Sequence, residues 1–178
     1  MIDSTRIPAY RVSPGCVVIL AALSGLLGCY TDTTPAVEGG VTIRFDGGEG
    51  FGNGTTSFSF MGANFSGGTI KTLGDPQLYG SGLFAYEVLP SSPVSITFDA
   101  PIDLLQLFFA KRGGGETALT AYDAEDMVVG TATALPASAA GSGASTEVAL
   151  SGNATRVEVI HTGDGDGWID NFTYRPAP

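Results

Sequence analysis

The chain has 178 residues, which is enough for one domain of ordinary size and too few for two. Hydrophobic residues make up 43% of it and charged residues 15%, a balance too apolar for an intrinsically disordered chain. The formal net charge is −10 and the only adjacent basic residues are Lys111 and Arg112, so a phosphate backbone would be repelled and nucleic acid is excluded as a partner.

The amino-terminal segment has the composition of a secretory signal. Arg6 and Arg11 precede an apolar run over residues 16–28, which is about two thirds of the ~20 residues that span a bilayer. The run ends in Leu26-Leu27-Gly28-Cys29, which resembles the lipobox of bacterial lipoproteins. That resemblance implies cleavage before Cys29 and attachment of acyl chains to its thiol and its freed amine.

The cysteine count is consistent with lipidation. Of the two cysteines, Cys16 lies in the segment to be removed, so the processed chain would keep Cys29 alone. The alternatives are a Cys16–Cys29 disulfide, or a chance cysteine after an ordinary signal. Tyr30 rather than Asp follows Cys29, and by the sorting rule of the resembled lipoproteins this favours the bacterial outer membrane or cell surface.

Residues 30–40 are polar, contain Pro and Gly, and show no periodicity, which is typical of a tether. We therefore predict a signal peptide over residues 1–28, a lipidated tether over 29–40 and one domain over 41–176.

The domain is predicted to be all-β, because period-two alternation recurs along it and no helical period does. In residues 94–98, for example, Val94, Ile96 and Phe98 share one face. About ten strands at this spacing favour an antiparallel β-sandwich. The predicted strands cover residues 41–45, 55–60, 69–73, 83–88, 94–98, 102–110, 117–122, 127–133, 147–150, 155–160 and 168–174.

Three of these segments carry finer predictions. Pro101 is expected to interrupt the chain, and residues 102–110, apolar on both faces, are expected to form a covered central strand. Residues 117–133 are expected to form a hairpin. Alternation in the last strand places Trp168, Asp170 and Phe172 on one face.

Residues 93–174 resemble the jelly-roll domains of PEP-CTERM-type exported proteins, which are akin to galactose-binding-like sandwiches and carbohydrate-binding modules. The motifs that carry the resemblance include Ser95-Ile-Thr-Phe-Asp-Ala-Pro-Ile102 and Asp166-Gly-Trp-Ile-Asp-Asn-Phe172. No sorting tail precedes Pro178, and the lipid anchor is expected to replace it. The resemblance implies a calcium ion that ties Asp46 to Asp170.

A second calcium hypothesis comes from the acidic cluster of Asp164, Asp166 and Asp170. Alternating Asp and Gly supply carboxylates on a bent loop, although the bidentate Glu and the flanking helices of an EF-hand are missing. The alternative is a β-turn whose Asp side chains cap their own backbone.

Aromatic side chains are the candidate glycan contacts, with Trp168 and Tyr122 foremost and Tyr79 and Tyr86 behind them. The alternative for Trp168 is a core position beside Phe172. No catalytic residue is predicted, because His161 is the only histidine and no nucleophile-elbow motif occurs.

The function expected from the sequence is a membrane-anchored, non-catalytic, extracytoplasmic binding module for polysaccharide, with a structural calcium. A structural or protein-interaction lipoprotein of the envelope is the alternative, and a small glycan-active hydrolase is the third.

Overall fold

The computed structural model describes residues 37–45, 52–72, 84–90, 92–136 and 144–178. The described residues form twelve strands and no helix, so the predicted all-β, antiparallel class is confirmed. Cys29, the signal segment and Asp46 lie outside the described residues. The strands are β1 (Val41–Ile43), β2 (Phe58–Phe60), β3 (Ala63–Ser66), β4 (Thr69–Thr72), β5 (Phe84–Val88), β6 (Val94–Gly113), β7 (Glu116–Tyr122), β8 (Val128–Thr133), β9 (Leu135–Pro136), β10 (Ala144–Val148), β11 (Ala154–Thr162) and β12 (Gly165–Pro176).

Hydrogen bonding connects the strands in the order β4-β5-β12-β6-β11-β7-β8, and all pairs are antiparallel except the short pairing of β6 with β9. The first half of β6 pairs with β3 and β11, whereas its second half pairs with β12 and β10. We call the sheet around β12 the β12 layer and the sheet around β11 the β11 layer. The 20-residue β6 belongs to both.

The core lies between the two layers. Phe65 on β3 and Phe172 on β12 are in edge contact, with ring centroids 5.3 Å apart, although their strands share no hydrogen bonds. Inward side chains of β6 contribute to the same core from both of its halves. The fully buried core residues with the largest side chains are Ile43, Phe45, Phe65, Ile70, Tyr86, Ile96, Ile102, Leu105, Leu107, Phe109, Leu119 and Phe172.

The prediction that Pro101 interrupts the chain is wrong, because β6 runs through it. The pairing of β6 with β11 shifts register between Thr97 and Ile102, where β6 passes from one layer to the other. A proline is tolerated at this exposed position because no ladder needs an N–H from it, while its carbonyl accepts the N–H of Ala177 at 2.8 Å. The covered central strand predicted for 102–110 is confirmed, since its buried residues include Leu107 and Phe109 on one face and Phe108 and Ala110 on the other.

The hairpin predicted for residues 117–133 is confirmed as β7 and β8. Asp123 begins its turn, and the Oδ1 atom of Asp123 accepts hydrogen bonds from the backbone N–H groups of Glu125 at 3.0 Å and Met127 at 2.8 Å. Such a side-chain cap replaces backbone bonds in tight turns. Asp126 takes a positive φ of 62°, which Asp tolerates better than most residues.

Candidate functional site

Strand β12 presents two different faces. Gly167 and Ile169 point into the core, and a Cβ atom on Gly167 would lie 2.5 Å from Thr117 Cγ2 of the β11 layer. The alternate residues Asp166, Trp168 and Asp170 therefore point outward. All three are nevertheless buried, with relative exposures of 9%, 4% and 0%. Carboxylates are seldom buried this deeply unless they are paired or bound to an ion.

The prediction that Phe172 shares one face of β12 with Trp168 and Asp170 is wrong. Asn171 adopts a left-handed backbone conformation, with φ at 46°, and the register between β12 and β6 shifts from Asp170 to Thr173. This β-bulge inserts one extra residue, so Phe172 points inward, opposite to Trp168 and Asp170. Trp168 is buried, as its alternative interpretation as a core residue predicts, and it is not the exposed aromatic side chain expected of a glycan contact. It lies outside the cluster that contains Phe172, so its predicted position beside Phe172 is wrong.

Strand pairing places Trp168 between Glu87 on β5 and Ala110 on β6, with further charged residues nearby on the same face. Glu87 on β5 lies directly opposite Trp168, and Arg112 on β6 lies opposite Asp166. Lys71 on β4 reaches Glu87 from the other side. We call these five outward-facing side chains, Lys71, Glu87, Arg112, Asp166 and Trp168, the Trp168 face.

In both ion pairs of the Trp168 face the cation and the carboxylate are close but not hydrogen-bonded to each other, and we call such a pair open. Lys71 Nζ is 3.9 Å from Glu87 Oε2, and Arg112 Nε is 3.6 Å from Asp166 Oδ1. Both distances exceed that of an N–H···O hydrogen bond. Asp166 Oδ1 is buried and accepts no hydrogen bond from any described residue. The carboxylate oxygens are therefore held near a cation and remain able to accept a donor.

The two carboxylates also act on one another. Burial raises the pKa of Glu87 above its ordinary value, and the negative charge of Asp166 raises it further, while Lys71 and Arg112 lower it. The cationic ends are much more accessible, since the side chains of Lys71 and Arg112 are 47% and 64% exposed against 11% and 13% for their partners. Solvent therefore contacts this face mainly at Lys71 and Arg112, and much less at the two carboxylates.

The acidic cluster does not converge. Asp164 is exposed in the turn before β12, and Asp166 and Asp170 lie on the same face four residues apart, roughly 13 Å along an extended strand. Among the described residues, no three His, Cys, Asp or Glu side chains come together as a metal site would require. One ion therefore cannot join all three.

Asp170 has the surroundings expected of a carboxylate with a structural role. It is fully buried, and Asp170 Oδ1 accepts the backbone N–H of Asn171 at 2.7 Å. Strand β1 runs antiparallel to β12 with Ile43 opposite Phe172, so the chain continues from there in the direction of Asp170. A buried carboxylate is a suitable ligand for calcium, and the predicted calcium shared with Asp46 stays a prediction.

Tyr122 lies on the other layer and is not part of the Trp168 face. The guanidinium of Arg156 covers its ring, with Cζ 4.1 Å from the centroid, and Arg156 is held in turn by Asp126 at 2.9 Å. The hydrogen bond that Arg156 donates to Asp126 raises the pKa of Arg156 above its ordinary value. One ring face of Tyr122 is thus occupied, and its predicted role in ligand binding stays a prediction.

Tyr86 is fully buried and has an anchoring role. Its hydroxyl donates to the carbonyl of Thr56 at 2.8 Å and accepts the N–H of Gly68 at 3.0 Å. Burial raises the pKa of Tyr86 to about 12, because the phenolate would have to lose its hydration. Tyr79 lies outside the described residues.

His161 is buried within the core and pairs with Thr117, whose Oγ1 lies 2.7 Å from His161 Nδ1. A histidine beside a hydroxyl is the starting arrangement of nucleophilic catalysis. Thr117 is itself fully buried, so no substrate reaches it. The pair therefore has a structural role.

Lys71, Glu87 and Arg112 were not predicted from the sequence. They lie on β4, β5 and β6, which are distant in the chain from β12, and only the strand register brings them close to Trp168. One sequence signal existed, since Glu87 is the only charged residue in β5.

The described part of the chain contains no helix of the length and apolarity needed to cross a membrane. No family model and no curated protein matches the sequence. Several solved structures resemble it in shape. One is the carbohydrate-binding module TmCBM61 in complex with β-1,4-galactotriose, with 15% identity and a TM-score of 0.45 over 66% of this chain and 90% of that one.

A mutant of the family 29 carbohydrate-binding module CBM29-2 gives 13% identity and a TM-score of 0.44, over 76% of this chain and 89% of that one. An arabinoxylan arabinofuranohydrolase of glycoside hydrolase family 43 from Bacillus subtilis, solved with cellotetraose, gives 15% identity and a TM-score of 0.43, over 64% of this chain and 25% of that one. Likeness at this level identifies neither the ligand nor the site residues of the chain.

Proposed function

We propose that this chain is a non-catalytic, extracytoplasmic module that binds glycans and is held at a bacterial membrane by lipid on Cys29. The observation that carries the glycan assignment is the Trp168 face, where two nearly buried carboxylates lie beside cations without being hydrogen-bonded to them. Such groups offer acceptors and donors side by side, which is what a sugar's hydroxyl groups require.

The charge of the molecule restricts its ligands. A net charge of −10 disfavours polyanions, so a neutral polymer is a better partner than nucleic acid. Carboxylates near an aromatic side chain also occur in hydrolases, in which two opposed carboxyl groups cleave the glycosidic bond. Here each carboxylate lies beside its own cation and is about nine-tenths buried, an arrangement that suits binding better than turnover.

A structural calcium ion forms part of the proposal. Asp170 and Asp46 would hold it, with Asp170 supplying the carboxylate on β12. Bridging the start of the domain to its last strand would stabilise the fold and would leave the chemistry of the Trp168 face unchanged.

Affinity electrophoresis of the exported protein through gels that contain polysaccharides tests the glycan assignment. The panel comprises neutral, uronate and amino polymers, with bovine serum albumin as the unretarded standard. Retardation by at least one polymer that free oligosaccharide reverses would support the proposal. Unchanged mobility in every gel would contradict it and favour the structural or protein-interaction role.

A further inference from the structure

We propose that the Trp168 face selects neutral sugars, because a single hydroxyl group bridges each of its two open ion pairs. This inference rests on the proposed glycan function and specifies its ligand class. It concerns the gap between Arg112 and Asp166 and the gap between Lys71 and Glu87.

The first gap matches one hydroxyl oxygen. Arg112 Nε and Asp166 Oδ1 are 3.6 Å apart, so an oxygen placed about 2.8 Å from each lies beside the pair. It accepts the guanidinium N–H and donates its own proton to the carboxylate. A slight outward rotation of Arg112, whose side chain is 64% exposed, widens the angle between the two hydrogen bonds at the hydroxyl oxygen.

The second gap repeats the arrangement between β4 and β5, two strand spacings from the first. Lys71 Nζ and Glu87 Oε2 are 3.9 Å apart, and again the cation is exposed while the carboxylate is nearly buried. Glu87 lies directly opposite Trp168, and Asp166 is two residues before Trp168 on the same face. The two bridging positions therefore lie on either side of Trp168, two strand spacings or roughly 10 Å apart. Hydroxyl groups on successive sugar units of one glycan, rather than on one ring, reach both.

Bridging requires a group that both donates and accepts. A sugar hydroxyl does both, whereas the carboxylate of a uronate only accepts and the ammonium of glucosamine only donates. Each gap holds one cation and one carboxylate, so a charged substituent placed there gains one attraction and one repulsion, whereas a hydroxyl satisfies both groups. The geometry thus discriminates against acidic and basic sugars alike.

Binding of three matched hexasaccharides, measured by calorimetry, tests the inference. They are β-1,4-linked glucose, glucuronate and glucosamine, accompanied by the galactose-configured set. Measurements at 0.15 M and at about 0.5 M salt separate local selectivity from the field of the whole protein, which the higher salt screens. The expected result is binding of a neutral hexasaccharide at least tenfold tighter than its charged forms at both salt concentrations.

Site variants assign the selectivity to the two gaps. Asp166→Asn and Glu87→Gln each replace a charged acceptor by a neutral amide, and each should weaken neutral-sugar binding roughly tenfold or more. Asp103→Asn is the matched control, because Asp103 is a partly buried carboxylate that is ion-paired with Arg175 and lies outside the Trp168 face. Arg112→Gln changes an exposed side chain of the same ion pair, so it replaces Asp166→Asn as the test variant if a carboxylate variant fails to fold.

The outcomes distinguish the inference from the proposed function. Preferred binding of glucuronate or glucosamine would overturn the inference and leave a glycan-binding module. Neutral binding that Asp166→Asn, Glu87→Gln and Arg112→Gln leave within twofold of the unmodified protein would do the same. Failure of every hexasaccharide and every polysaccharide to bind would overturn both.

Discussion

Trp168 and Phe172 lie on opposite faces of β12, although regular alternation would place residues four positions apart on the same face. The left-handed backbone at Asn171 produces the difference. Trp168 is thereby kept among the charged side chains of the outward face, while Phe172 completes the aromatic core.

Replacement of Asn171 should show how strongly the bulge depends on its backbone. Asn171→Ala is expected to destabilise the fold by about 1–2 kcal/mol, because a Cβ without a local hydrogen-bonding group disfavours left-handed φ. Urea denaturation measures the free energy of unfolding. Asn171→Gly should be the milder change of the two, and a glycine variant less stable than the alanine variant would show that the side chain of Asn171 matters more than its φ.

Gly167→Ala should destabilise the fold by about 1–3 kcal/mol, because the added methyl group would overlap the buried Thr117 side chain. Thermal unfolding followed by circular dichroism measures the effect. Gly152→Ala is the matched control, since its Cβ would meet only Val129 Cγ1, at 3.4 Å, on an exposed turn. Equal melting temperatures for the two variants would contradict the close packing of β12 on β7.

Glu87→Gln should stabilise the protein at pH 7. Burial raises the pKa of Glu87 in the folded state above its ordinary value of 4.5, so the folded state binds the proton more tightly than the unfolded state does. Ionised Glu87 therefore costs stability at neutral pH, and this cost disappears as the pH falls below about 4.5. Urea midpoints between pH 4 and pH 8 should show a gain for Glu87→Gln that shrinks toward acid.

A gain in stability for Glu87→Gln that does not change with pH would contradict the electrostatic origin of this effect. The same variant is expected to bind sugar less well, so stability and binding should change in opposite directions. This trade-off is typical of functional groups that are retained at a cost to the fold.

Calcium should raise the melting temperature of the exported protein, and a chelator should lower it. Asp46→Ala and Asp170→Ala are expected to abolish the shift, because they remove the two proposed ligands. Asp164→Ala should preserve it, since Asp164 lies in an exposed turn. A melting temperature that responds to neither calcium nor chelator would remove the ion from the proposal.

Lipid on Cys29 should appear in the mass of the membrane-extracted protein as a diacylglycerol and an additional acyl chain. Cys29→Ser is expected to release the domain from the membrane fraction, and Cys16→Ser should leave the anchor intact. An unmodified Cys29 sulfur in the exported form would contradict the anchor.

Side-chain alternation predicted most of the strands because burial between two layers imposes it directly. It predicted the β7–β8 hairpin, where a turn separates two alternating segments. It failed at Pro101, because the rule against proline assumes that every residue of a strand has a ladder partner, and β6 has none where it changes layers.

The candidate site was predicted only in part. Trp168 was predicted as a glycan contact and Asp166 as a calcium ligand, because both are chemically distinctive and they are close in sequence. Glu87 and Arg112 were missed, because their proximity depends on strand register, which the whole fold determines. The bulge at Asn171 was equally inaccessible, since one inserted residue changes the face of every later side chain.

The position of β12 bears on how the chain acquires its structure. This last described strand lies between β5 and β6 and also pairs with β1, so that Thr42 and Thr173 are hydrogen-bonded across 131 positions of sequence. Contacts this distant form slowly. A nascent chain that still lacks β12 cannot close this sheet, so the described residues reach their final packing only after residues 165–176 have been synthesised.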